Sequence, residues 1–205
     1  MNERPQRKTD KLLVGGLSVT DVRYFITICT KDKVDGLTGN QQISEAILNT
    51  WRRLHADKGI YFYCGTIMPN HVHILFRLGS RLELSKMIIK FKALTKSALS
   101  ESNLSWQRNF YDHRLRADTA LETFSKYIYL NSYRKGLINV NETYPHWHLN
   151  RAYASEFLQH LNSASGPPPA WIQQSIQLTE VIENDVGASF MKPANPQEST
   201  ELTKP

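Results

Sequence analysis

Strand-like and helix-like patterns follow one another along this chain in the order β-α-β-β-α-β-α. That order predicts an α+β fold, an antiparallel sheet of the split-βαβ (ferredoxin-like, RRM-like) kind with helices on one face. Three observations carry the prediction. Residues 23–29, Arg-Tyr-Phe-Ile-Thr-Ile-Cys, are dense in β-branched and aromatic side chains, as strands are. Two more such runs, 60–67 and 72–78, are joined by Met68-Pro69-Asn70, whose Pro-Asn pair signals a turn and hence a hairpin. Two segments between the strands carry apolar residues at intervals of three and four, the helical period.

Residues 1–22 are polar and form an N-terminal arm. After the first strand, 31–40 is a loop with Asp-Gly and Gly-Asn turn signals. The first helix runs from about 42 to 58, with Ile43, Ile47, Trp51 and Leu54 as its apolar stripe and Gly59 ending it. The second covers about 84–99, burying Met87, Ile88, Phe91, Leu94, Thr95 and Ala98, with Lys86, Lys90, Lys92 and Lys96 off that stripe. A fourth strand is expected over 106–116. A third helix starts near Asp118, an N-cap type of residue, and stops at Gly136. The domain spans 23–161. From 162 to 205 the composition shifts to Ser, Gly, Pro and Gln, a tail with one helix over about 170–183 and otherwise disordered.

A chain of 205 residues suits one domain plus tail. No apolar run approaches the roughly 20 residues that span a bilayer, and the charged N-terminus lacks the apolar segment of a signal peptide. Cys29 and Cys64 sit in strand-like runs without metal or redox spacing, so they read as buried thiols of a cytoplasmic protein. Net charge is +6, and it is uneven. Residues 162–205 hold Lys192 and Lys204 against Glu180, Glu183, Asp185, Glu198 and Glu201, a net −3, which leaves +9 on the remainder. A basic domain points to a polyanionic partner, nucleic acid first among them.

The candidate chemistry starts at His71-Val72-His73. On a strand, alternate side chains share a face, so the two imidazoles point one way while Val72, Ile74 and Phe76 point the other. Such a pair is either half of a metal site or two half-exposed histidines on a sheet. On the third helix Tyr127 and Asn131 are one turn apart on one face. A carboxamide oxygen beside two imidazoles and water suits Mg2+ or Mn2+. A phenol one turn away can serve as a nucleophile on a phosphodiester, or be an amphipathic anchor packed on the sheet.

The motif Met-Pro-Asn-His-Val-His followed by Tyr-Ile-x-x-Asn resembles the single-tyrosine HUH transposases, and within them the REP-associated tyrosine transposases. The matching segments are 24–30, 65–76, 106–116 with its Phe-Tyr-Asp-His-x-x-Arg core, and 127–138. The resemblance implies that His71 and His73 are the metal-binding pair, Asn131 the third ligand and Tyr127 the nucleophile. It implies an HUH endonuclease fold and a Mg2+- or Mn2+-dependent enzyme that cuts and rejoins single-stranded DNA through a 5′-phosphotyrosine. The implied partner is an imperfect hairpin of a repetitive extragenic palindrome with a short flanking tetranucleotide. The implied setting is the bacterial cytoplasm and nucleoid, and the implied state a monomer. One position departs from the pattern: Ser132 stands where the family usually has proline after the asparagine.

Further candidates for DNA contact are Arg77, Arg81, Lys86, Lys90 and Lys96 along the backbone, Arg134 at the end of the third helix, and Asp112, His113 and Arg116 of the preceding motif. A lysine-bearing helix face is equally a solvated one, and Asp112 and His113 equally a buried hydrogen-bond network. Trp106, Phe110 and Tyr111 are base-stacking candidates or core. His146-Trp147-His148 repeats the HxH pattern in a stretch without strand signal, a poor metal site, and His55 and His160 carry no chemistry. Two other readings remain open: a hairpin-binding module on the same fold that does not cut, and a metal-dependent hydrolase using water.

Overall fold

The computed structural model describes residues 22–115, 121–153 and 166–173. Five strands form one antiparallel sheet: β1 (Arg23–Cys29), β2 (Ile60–Ile67), β3 (His71–Leu78), β4 (Tyr111–Arg114) and β5 (Trp147–Leu149), in the order β4-β1-β3-β2-β5. The first four reproduce the predicted split-βαβ sheet, and β5 extends its β2 edge. The helices are α1 (Gln41–Ala56), α2 (Leu84–Ser100) and α3 (Leu121–Arg134), with a short 3-10 turn at Lys31–Lys33 after β1.

α1 starts where Asn40 Oδ1 accepts from Gln42 N at 2.9 Å, an N-cap that satisfies one orphan amide. It and α2 cover one face, where Ile26, Ile28, Val72, Ile74 and Phe76 of the strands meet Ile43, Ile47, Trp51, Met87, Ile88 and Phe91. Gly65 lies under the Trp51 indole: a methyl there would sit 2.9 Å from the His73 carbonyl oxygen and 3.0 Å from the ring, so only glycine lets helix and strand approach this closely. In β2 one extra residue, Tyr63, breaks the register between Phe62 and Cys64.

The opposite face is where α3 packs, against Phe25, Cys64 and Leu75 through Phe124, Tyr127 and Ile128. The split-βαβ pattern predicts helices on one face and a free face opposite. α1 and α2 follow it, but α3 covers the face expected to be free, because Phe124, Tyr127 and Ile128 bury apolar surface on Phe25, Cys64 and Leu75. α3 ends in a Schellman motif: Gly136 takes φ of 65°, its N–H donates to Tyr133 O, and Leu137 N donates to Ser132 O, each at 3.0 Å. Residues 166–173 return to the outer side of α3, where Trp171 packs on Tyr129, centroids 6.0 Å apart, under the Lys126 ammonium.

Three expectations are corrected. The fourth strand is shorter than 106–116, because Trp106 makes only an isolated bridge to Thr30 and Trp106 and Phe110 pack toward the α2 side. Leu94 is 36% exposed, because the buried stripe of α2 ends at Thr95 and Leu99. The second HxH is a strand after all, Trp147–Leu149, paired with β2. Asp118, Arg116 and His160, and most of the tail, lie outside the described residues.

Candidate active site

Register brings the site together. β1 and β3 pair so that Thr27 stands opposite His73 and Cys29 opposite His71. Thr27 Oγ1 lies 2.8 Å from His73 Nδ1, and Asn70 Oδ1 lies 2.7 Å from His71 Nδ1. A carboxamide oxygen can only accept, which places the His71 proton on Nδ1 and a lone pair on Nε2. The same holds for His73 when Thr27 accepts. The two Nε2 atoms face each other 3.2 Å apart. Two ligands about 2.1 Å from one cation and at right angles to each other stand about 3 Å apart, so the pair fits a metal. Each Nδ1 contact is of the kind that orients an imidazole toward a metal.

Burial pushes His71 down to about 3, with Lys135 and Lys33 adding to the effect. Burial likewise holds His73 well below the imidazole range, reinforced by His71, Arg134 and Lys135. Both rings are therefore neutral, the state that ligates.

α3 supplies the rest. Tyr127, Asn131 and Arg134 follow the i, i+4, i+7 spacing of a single helical stripe. The Tyr127 ring is 5.8 Å from that of His73, and the Arg134 guanidinium carbon is 4.9 Å from the centre of the Tyr127 ring. Asn131, between them on the stripe, is 3% exposed. Tyr127 is fully buried, with Phe25 edge-on to it at 5.8 Å. Arg134 Nη1 is buried and has no hydrogen-bond partner among the described residues, and neither has Ser132 Oγ. Those residues hold no cluster of three or more His, Cys, Asp or Glu side chains suited to a metal. A cation here would keep its charge on two imidazoles and an amide, to be met by an anion from outside.

Tyr127 and Arg134 thus lie at the strand histidines, and Asn131 is buried between them on the same helical stripe. The other DNA-contact candidates among the described residues do not. Lys86 pairs with Glu83 at 3.6 Å and Lys90 with Asp57 at 3.1 Å, both on α2 across the sheet. Lys96 is exposed on the same helix and Arg81 in the turn before it. Arg77 lies over Tyr61, 3.9 Å from the ring centre, at the far end of β3. Asp112 and His113 turn to opposite faces, since Asp112 pairs with Ile26 and His113 with Phe25. The His113 ring stacks on Phe124 at 5.4 Å, and burial raises the Asp112 carboxyl, opposed by His113. Thr27 and Asn70 escape sequence reasoning: the first needs strand pairing to be seen, although the second stands beside His71.

Among the described residues no helix is long and apolar enough to cross a membrane. A model of the family described as "Transposase IS200 like" matches residues 18–131, more than half of the chain. A Haemophilus influenzae (strain Rd) protein that bears the provisional name of REP-associated tyrosine transposase is 24% identical over 151 residues, covering 65% of this chain and 82% of that protein. A solved structure described as a REP-associated tyrosine transposase bound to a REP hairpin superposes with a TM-score of 0.54 at 18% identity. That match covers 82% of this chain and 89% of the other, a likeness of fold. With a family match over most of the sheet and the whole of the site as far as Asn131, this chain belongs to the IS200-like transposases.

Proposed function

We propose that this protein is a divalent-metal-dependent endonuclease and strand transferase of single-stranded DNA beside hairpins, working through a covalent 5′-phosphotyrosine on Tyr127. The observation that carries the reading is the 5.8 Å between the Tyr127 and His73 rings, contributed by elements far apart in the chain. His71, His73 and Asn131 would hold the cation, Mg2+ or Mn2+, which when bound supplies Lewis-acid polarisation of the scissile phosphate.

The side chains do the rest. Tyr127 Oη forms a bond to phosphorus as the bond from phosphorus to the 3′ oxygen breaks. The phenolic proton leaves to solvent, and the departing 3′ oxygen takes one up. Arg134 offers its unspent Nη1–H to a non-bridging phosphate oxygen, where charge grows during attack. Rejoining is the reverse, a 3′ hydroxyl displacing Tyr127, and needs no nucleotide triphosphate because the phosphotyrosine keeps the energy of the broken bond. Tyr127 is fully buried against the sheet, so a phosphodiester reaches it only when the packing around its ring rearranges. Hairpins as partners follow the solved relative, whose description names a REP hairpin.

The test is a denaturing-gel assay with Mn2+ or Mg2+ and hairpin-flanked single strands. Wild-type protein is expected to shift as a covalent adduct, and Tyr127→Phe to lose the adduct while still binding the hairpin. Cleavage that survives in Tyr127→Phe would make water the nucleophile, and no adduct on any such strand would leave a binding module.

A further inference from the structure

The His73 ring is held between two others. Phe25 stacks on it with centroids 5.2 Å apart, and Tyr127 meets it at 64° with centroids 5.8 Å apart. Packing therefore fixes the plane of the ring, and the partners at its two nitrogens decide where its one proton sits. At Nδ1 the partner is Thr27 Oγ1, 2.8 Å away. At Nε2 it is His71 Nε2, 3.2 Å away, the two imidazoles crossing at 75°.

Neutral imidazoles approach this closely, nitrogen to nitrogen, with one proton between them, since two lone pairs repel and two N–H groups collide. Asn70 Oδ1 keeps the His71 proton on Nδ1, so the shared proton belongs to His73, on Nε2. His73 Nδ1 then carries a lone pair, and the Thr27 hydroxyl donates to it. To ligate, His73 has to present a lone pair at Nε2 as His71 does. Its proton then belongs on Nδ1, and Thr27 has to accept. A hydroxyl can do both, because its O–H rotates, whereas a carboxamide oxygen such as that of Asn70 only accepts. Thr27 is 1% exposed and His73 2%, so bulk water does not stand in for this hydroxyl.

We infer that Thr27 is a positioning residue with two settings: its hydroxyl donates to His73 while the histidines share a proton, and turns to accept when both present lone pairs. Between the settings one proton leaves Nε2 to water and one is taken up at Nδ1, so the charge of the ring does not change. The inference rests on the reading above that His71 and His73 hold a cation. It adds that the pair stays hydrogen-bonded and aligned in either setting, with no movement of the rings.

Two measurements on the full chain test it. Long-range 1H–15N spectra of protein with 15N-labelled histidine, assigned by the signals lost in His71→Gln and His73→Gln, report which nitrogen carries each proton. In EDTA, His71 is expected to carry it on Nδ1 and His73 on Nε2; with Zn2+, a diamagnetic probe, His73 is expected to carry it on Nδ1. Mn2+ affinity is read from the electron-spin signal of the free ion. Thr27→Val, close in shape but without the hydroxyl, should bind about tenfold more weakly, and Thr27→Ser within about twofold of wild type, the scale for loss or retention of a bond that orients a ligand. A His73 proton on Nδ1 in EDTA, or equal Mn2+ affinity in Thr27→Val, overturns the inference and leaves the metal pair standing. Wild-type protein that binds no Mn2+ overturns both. Absence of a phosphotyrosine adduct bears on the proposed chemistry alone, because neither measurement involves cleavage.

Discussion

The two faces of β3 are built to opposite rules. On the side of α1 and α2, Val72, Ile74 and Phe76 are at most 3% exposed and meet only apolar neighbours from two helices. On the side of α3, His71 and His73 share the surface with Tyr127, Asn131 and Arg134, and two of the three buried polar atoms without partners among the described residues, Ser132 Oγ and Arg134 Nη1, are on that helix. Strand alternation is what separates them. One face holds the fold together, and the other keeps donors and lone pairs unspent, which costs stability and leaves chemistry available.

The widest separation is expected from neighbours in sequence. His71→Ala should lower adduct formation by about a thousandfold or more, as loss of a central catalytic group does, with thermal stability nearly unchanged; gel shift and melting temperature report the two. Val72→Ala, one residue on, should cost about 1–3 kcal/mol in urea unfolding while residual adduct formation tracks the folded fraction. Comparable stability losses in both variants would break the division of labour.

EDTA should abolish the adduct and, in the absence of DNA, shift the melting temperature little, since two imidazoles and an amide bind a divalent cation weakly. A large EDTA-induced drop would mean that the cation is structural.

His148 lies on the α1 face, edge-on to Trp51 at 6.1 Å, and burial pushes it down to about 4, with His146 and Arg52 adding to the effect. Its folded value is below that of a free imidazole near 6.5, so the unfolded chain binds the proton more readily. Stability is then full above about pH 6.5 and declines as pH falls toward 4. Partial exposure limits the effect to about 1–2 kcal/mol. Urea titrations of His148→Gln should show a shallower slope across that window than wild type.

The smallest effect is expected at Ser132, fully buried with a hydroxyl that has no partner among the described residues. Ser132→Ala should stabilise by up to about 1 kcal/mol, read by the same titration.

β1 to β3 and the first two helices were readable from sequence because their signals are local: β-branched runs for the strands and a three-four period for the helices. β5 was not, since three residues carry no period and become a strand only by joining the β2 edge. Trp106 to Phe110 carries the aromatics of a strand, but they pack from a loop. In the site, His71 with His73 and Tyr127 with Asn131 follow from the two periodicities. Their meeting does not, because nothing local says on which face a late helix lands. Arg134 stands three residues further along the Tyr127–Asn131 stripe, and the same count places it beside Tyr127.

Gly65 belongs to both worlds. The backbone oxygen its missing side chain avoids is that of His73, and the ring it avoids is the largest in the helix-covered core. A single methyl group introduced there would have to be absorbed either by Trp51 or by the strand that aims the imidazoles. Mutational tolerance at this spot is therefore a gauge of how stiffly the two imidazoles are mounted.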